Sequence, residues 1–150
     1  MNEVKPHLAS RSVRLGGALI DGVISLVIIV PVMLATGSFQ RLFRGEEMTI
    51  GQRAAFFVAG WAVFLALNGY LLLKRGQTIG KVAVKTRIVD LNGNIPHFGK
   101  LLVLRYLIIG LLAEIPIIGS LACLVDALFI FGKESRCLHD YIAGTRVVDA

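Results

Sequence analysis

Asp21, Asn68, Arg105 and Asp126 stand inside otherwise apolar stretches of the chain, and Arg14 sits at the edge of one. Asp21 lies seven residues after Arg14, and Asn68 six before Lys74. Arg105 lies five after Lys100, and Asp126 seven before Lys133. At ~1.5 Å per helical residue, all four reach roughly 8–10 Å into a membrane from the same face. A charge near the centre of a span costs roughly 2.5–3.5 kcal/mol on insertion scales and somewhat less at this depth. Such groups must pair or reach water. Arg105 is expected to bridge Asp21 and Asp126, which leaves one carboxylate in excess. A proton, Arg14 or a bound cation would neutralise it, and the first and third are what an ion or proton pathway requires. The rival reading is a structural staple, with buried pairs that fix helix packing and do no chemistry.

The elements that must carry these groups follow from the apolar blocks. Leu101–Phe131 is nearly all apolar and would run to roughly 46 Å as one helix, against a hydrocarbon core of ~30 Å. Glu114, Pro116 and Gly119 interrupt it, and proline makes a break near Ile115–Pro116 cheap. The block therefore reads as a hairpin that brings Arg105 level with Asp126. Helix one is expected over residues 15–36, helix two over 54–73, and the hairpin arms over 98–114 and 115–131. Arg14 and Asp21 are two turns apart and share a small, polar face with Gly17 and Ser25. The fold expected is an all-α transmembrane four-helix bundle of two helical hairpins, one domain over residues 1–150. The polar segment 74–100 carries β-branched residues and an Asn92-Gly93 turn signal, which predicts a short strand or hairpin.

Thr86-Arg87-Ile88-Val89-Asp90 is echoed by Thr145-Arg146-Val147-Val148-Asp149, each after a helical hairpin. Asn68 precedes the first by 18 residues and Asp126 the second by 19. Duplication of a two-helix unit and chance in a Val-rich stretch both account for the echo. If both segments are strands, they lie on one side of the membrane and can pair.

A composition of 55% hydrophobic residues and a mean hydropathy of +0.73, gathered in blocks, describes a membrane protein. The net charge of +6 does not point to nucleic acid, because the basic residues flank the apolar blocks and form no patch with interleaved aromatics. With four helices, one face holds Lys5, Arg11, Arg14, the bases of 74–100 and the basic tail; the other holds Arg41, Arg44 and Arg53. That asymmetry predicts both termini in the cytoplasm. The first apolar run, with Asp21 inside it and more spans after it, reads as an uncleaved helix. Cys123 and Cys137 imply no disulfide framework. His139-Asp140 invites a metal or catalytic reading, but no second ligand set stands at metal spacing; a cap or flanking-helix role is favoured. No nucleophile–base pair, phosphate loop, cofactor motif or metal motif is present, so no enzyme is expected.

These residues resemble the RDD family of bacterial membrane proteins, named for an arginine and two aspartates. Arg14 and Asp21 in RLGGALID match its first two signature positions. GQTIGKVAVKTRIVDLNG (Gly76–Gly93), Arg105 and the closing CLHDYIAGTRVV match the rest of its pattern. Asp126 and Asp140 both match acidic positions of the family; Asp126 is favoured as the second signature aspartate for membrane chemistry, Asp140 as a cytoplasmic candidate. The resemblance implies a helical inner-membrane protein and suggests transport of an unidentified ligand. The expected site comprises Arg14, Asp21, Asn68, Arg105 and Asp126, with His139 and Asp140 secondary. A bundle this small also predicts a homo-oligomer. The alternative is an accessory protein that docks on another membrane protein through 74–100 and the tail.

Overall fold

The computed structural model describes residues 7–115, 117–132 and 134–150. Lys5, Lys133 and the expected break at Pro116 therefore lie outside the described residues. Two long helices open the chain, α1 (Arg11–Ala35) and α3 (Ile50–Arg75), joined by the short α2 (Ser38–Phe43). Both start four residues before the apolar pattern predicts, because their caps lie upstream of it. Ser10 Oγ accepts from the Val13 amide at 3.3 Å, and Thr49 forms a reciprocal capping box with Gln52. Lys74 and Arg75 close α3 where the helix dipole favours cations. Gly76 then turns the chain with φ +63°, a conformation that suits a residue without a side chain.

Next come α4 (Ile79–Ala83) and β1 (Thr86–Asp90). The third apolar helix runs from α5 (Phe98–Lys100) through a π-helical stretch, Leu101–Leu107, into α6 (Ile108–Ala113). α7 (Ile118–Leu128) packs back against α6 and ends in a 3₁₀ turn, Phe129–Phe131. α8 (Leu138–Ile142) and β2 (Thr145–Asp149) complete the fold. Among the described residues, only α1 and α3 are long and apolar enough to cross a membrane, with mean hydropathies of 2.5 and 1.9; Ile118–Phe131 is apolar but shorter. The four-helix expectation is thereby reduced to two candidate spans and a shorter helical hairpin.

The buried core is not among the long helices. Ala9, Leu72, Ile88, Leu101 and Val147 cluster at one end of them, with Phe64, Phe98 and Tyr106 packed alongside. The most apolar window of α1 is 0% buried. A helix that bares its apolar surface over such a length belongs in lipid, where backbone groups are satisfied internally and apolar side chains have no water to avoid.

The two echoed segments are both strands and pair antiparallel, Thr86 opposite Asp149 and Ile88 opposite Val147. Leu8 adds a bridge to Val148. Asn92-Gly93 does not make a β-hairpin; Asp90 Oδ1 accepts from the amides of Asn92 and Asn94 at 2.8 and 2.9 Å, and β1 finds its partner in the tail. The echo extends through local structure at one constant interval, 59 residues, the interval from Thr86 to Thr145. α4 is matched by α8, and left-handed Gly76 and Lys85 by left-handed Ser135 and Gly144. Gln77 Nε2 donates to Thr86 O at 2.8 Å; Arg136 Nε donates to Thr145 O at 2.9 Å.

Candidate functional site

Asp140 is the centre of the site, and it is wholly buried. It sits in the first turn of α8, which fixes its side chain beneath the end of α7. Arg14, from the first turn of α1, reaches Oδ2 through Nη2 at 2.7 Å. Arg105, carried on the π-helical stretch, donates through Nη1 to Oδ1 and at 2.8 Å to Thr145 Oγ1. Thr145 Oγ1 donates to Oδ1 at 3.1 Å, and the Cys137 amide donates to Oδ2 at 3.2 Å. Arg14 also donates to the carbonyl of Ser135. One carboxylate thus ties the start of α1, the third apolar helix and the tail together. Burial pushes the Asp140 carboxyl up, but the charges of Arg105, His139 and Arg14 outweigh it and hold the group well below the usual carboxylate range.

The expected partners of Arg105 are therefore corrected. It bridges neither Asp21 nor Asp126. Asp21 belongs to a second joint, where it accepts from Thr78 Oγ1 at 2.5 Å and from the Gly80 amide at 2.7 Å. Asn68 Oδ1 accepts from the Ile79 amide at 2.9 Å, so both residues cap the start of α4. Asp126 does the matching work for α8: its oxygens take the His139 amide and His139 Nδ1, each at 2.7 Å. The four polar residues expected at one depth divide among three joints. His139 and Asp140, ranked second from sequence, are at the heart of the arrangement. The cap role expected for Asp140 is real but minor beside its two arginines. Thr145 could not be distinguished in the sequence from any other strand threonine.

Between α1, α7 and the sheet lies a chamber of about 530 Å³. Arg14, Arg105, Asp126 and His139 line it, together with Arg11, Lys81, Thr86 and the apolar Leu15, Ala18, Leu128, Ile130 and Phe131. A smaller cleft of about 230 Å³ between α1 and α3 carries Asp21, Ser25 and Asn68 in an otherwise apolar wall. Asp126, Cys137 and His139 bring one donor atom each within 4.8 Å of one another, a set that sequence spacing did not reveal. Its surroundings oppose a cation. Arg14 Nη2 lies 3.9 Å from Cys137 Sγ, Asp126 is already bound by His139, and burial pushes the Cys137 thiol up, away from the thiolate that a metal needs.

The RDD family model matches residues 8–144, nearly the whole chain. The chain belongs to the RDD family. No curated protein and no solved structure matches it. Membership of the RDD family, with the apolar helices, indicates a small membrane protein. Of the two aspartates matching the RDD pattern downstream of Asp21, Asp140 is the one that Arg14 reaches.

His139 gives the site a pH limit. Burial and the Arg105 charge hold its imidazole below the ordinary value of about 6.5, against the upward pull of Asp126. A group depressed in the folded state stabilises it above the unfolded value and loses that contribution as pH falls through the folded one. Thermal stability in detergent should therefore fall as pH drops below about 6.5, and His139→Gln should flatten that slope. An unchanged slope in the variant would assign the acid sensitivity elsewhere. Asp140, held much lower, keeps its stabilising contribution at these pH values and loses it only at far more acid pH.

Proposed function

We propose that this RDD protein carries a small ion or solute across the bacterial inner membrane, with the chamber as its cytoplasmic binding site. The carrying observation is convergence: Arg14, Arg105, Asp126 and His139, from four separate elements, meet on one cavity at the charged end of the apolar helices. The reading involves no bond-making chemistry. It takes the shorter hairpin as two further spans, which puts both termini in the cytoplasm and is supported by the excess of Lys and Arg on the sheet's side. A reporter fused after Ala150 should read as cytoplasmic and one inserted near Gly45 as external; an external C-terminus would remove the four-span arrangement. The thin wall of one bundle also favours a homo-oligomer as the working unit.

The transport reading is tested on purified protein in liposomes, by following proton, sodium, potassium and chloride flux with dyes. Flux above that of empty vesicles is expected, with loss in Asp126→Asn, which retains a capping oxygen for α8 and removes the charge from the wall. Flux at the level of empty vesicles for every ion would favour the second reading, an accessory protein that docks on another membrane protein. That reading draws support from the fact that Asp21, Asp126 and Asp140 are each hydrogen-bonded within the chain, as a staple requires.

A further inference from the structure

Two buried donors in this chamber have no partner among the described residues: Arg105 Nε and Thr86 Oγ1. Both residues line the cavity, the Arg105 side chain is only 4% exposed, and Thr86 is 0% exposed. Buried polar groups are nearly always hydrogen-bonded, and one left unmade costs ~1–3 kcal/mol, so two in one cavity ask what they are meant to meet. The guanidinium only donates, so what it lacks is an acceptor.

The chain itself supplies a template for that acceptor. Thr145 stands 59 residues after Thr86, in the matching place on the other strand, and its hydroxyl is satisfied by a carboxylate that Arg105 also binds. The residue 59 before that Asp140 is Lys81, a cation, and it lines the chamber. Where the second half of the fold brings its own oxyanion, the first half offers a threonine, a lysine and the free edge of an arginine. Arg11, Arg14, Lys81 and Arg105 together outnumber the carboxylates of Asp126 and of Asp140 behind the wall. The chamber carries more cations than carboxylates, which favours an anionic guest.

Its other wall is apolar. Leu15 and Ala18 on α1 face Leu128 and Ile130 at the end of α7, and the cavity is within the ~300–1,000 Å³ range of sites for whole small molecules, larger than a free phosphate fills. It lies where the apolar helices end and basic side chains begin, the level at which anionic lipid heads attract Lys and Arg.

We infer that the chamber binds a phosphate-type oxyanion carried on an apolar tail: an anionic amphiphile whose head meets Arg105, Thr86 and Lys81 and whose tail runs along Leu15 and Ile130. This inference rests on the chamber being a ligand site, as proposed above, and names its ligand class. Free phosphate shares the head-group chemistry, so the test must separate the two sources.

The protein in phosphatidylcholine nanodiscs is titrated with fluorescent lysophosphatidic acid. Unlabelled lysophosphatidic acid, lysophosphatidylcholine of the same chain length and inorganic phosphate serve as competitors. Saturable binding is expected, competed by lysophosphatidic acid and at least about tenfold less well by the other two. Thr86→Val should weaken binding roughly fivefold while leaving the melting temperature unchanged or raised, because it deletes an unsatisfied hydroxyl. A structural threonine would show the reverse. Lys81→Gln should weaken binding without loss of fold. Equal competition by lysophosphatidylcholine, absence of saturable binding, or wild-type affinity in both variants would overturn the inference, and phosphate competing as well as the lipid would overturn its lipid source. Binding by a protein that moves nothing in liposomes would remove the transport reading and keep the ligand; ion flux without lipid binding would do the opposite.

Discussion

Alanine in place of Asp140 is expected to leave little folded protein in the membrane. The substitution strands Arg14 and Arg105, 7% and 4% exposed, without their shared carboxylate. Removing one member of a buried charge group typically costs ~3–5 kcal/mol, much of a total stability of ~5–15 kcal/mol. It also frees Thr145 and the Cys137 amide, both held by the same side chain. Asp140→Asn keeps one acceptor oxygen, for the Thr145 hydroxyl or the Cys137 amide but not both, and should lose less. Single arginine losses separate the contributions: Arg14→Leu leaves Arg105 paired, so it should be milder than Asp140→Ala. Membrane abundance and thermal unfolding in detergent check the order. Wild-type abundance and melting for Asp140→Ala would mean that the ion pairs do not hold the tail to the helices.

Gly80→Ala should be nearly as damaging, although it adds a single methyl group. A Cβ at Gly80 would collide with the carbonyl of Gly17 and lie 2.7 Å from Asp21 Cγ. Backbone cannot yield as a flexible side-chain tip can, so α4 must lift off α1. The Asp21 carboxylate then loses the Gly80 amide and probes for a new donor in an apolar setting. Overpacking costs ~1–3 kcal/mol and an orphaned buried acceptor ~1–3 more, which predicts a loss of about 2–6 kcal/mol. Gly22→Ala is the control, since nothing lies within 4 Å of the Cβ it would add. Equal stability of the two variants would show that α4 does not need its close seat on α1.

The fold is legible in the sequence where a long pattern carries the information. The two long helices, the shared face of Arg14 and Asp21, and the capacity of the two TRxVD segments to pair follow from hydropathy, helical spacing and similarity. The partners of the charges did not follow. Equal spacing from the hairpin turn does not make Arg105 and Asp126 meet. The tail instead folds back after Phe131, so the carboxylate that meets Arg105 comes from a segment outside the apolar blocks. Asn68 and Asp126 were visible as polar exceptions, but their work was not. Each caps a helix of five residues, too short to leave a periodic trace, and Cys137 at the head of one is not a residue that announces a helix start.

The constant interval between the halves has a geometric consequence. Ile88 and Val147 hold matching places and also face each other across the sheet, so exchanging the halves returns the same strand register. A two-fold axis passes between them. Two separate, identical subunits on such an axis would carry the same residue at both mated positions, two carboxylates or two lysines. This chain has Lys81 at one and Asp140 at the other. A lone carboxylate clasped by two arginines, beside a cavity with more cations than carboxylates, is open only to halves joined in one polypeptide and free to differ. The charge asymmetry from which any ligand selectivity would come is the part of the molecule that departs from its own symmetry.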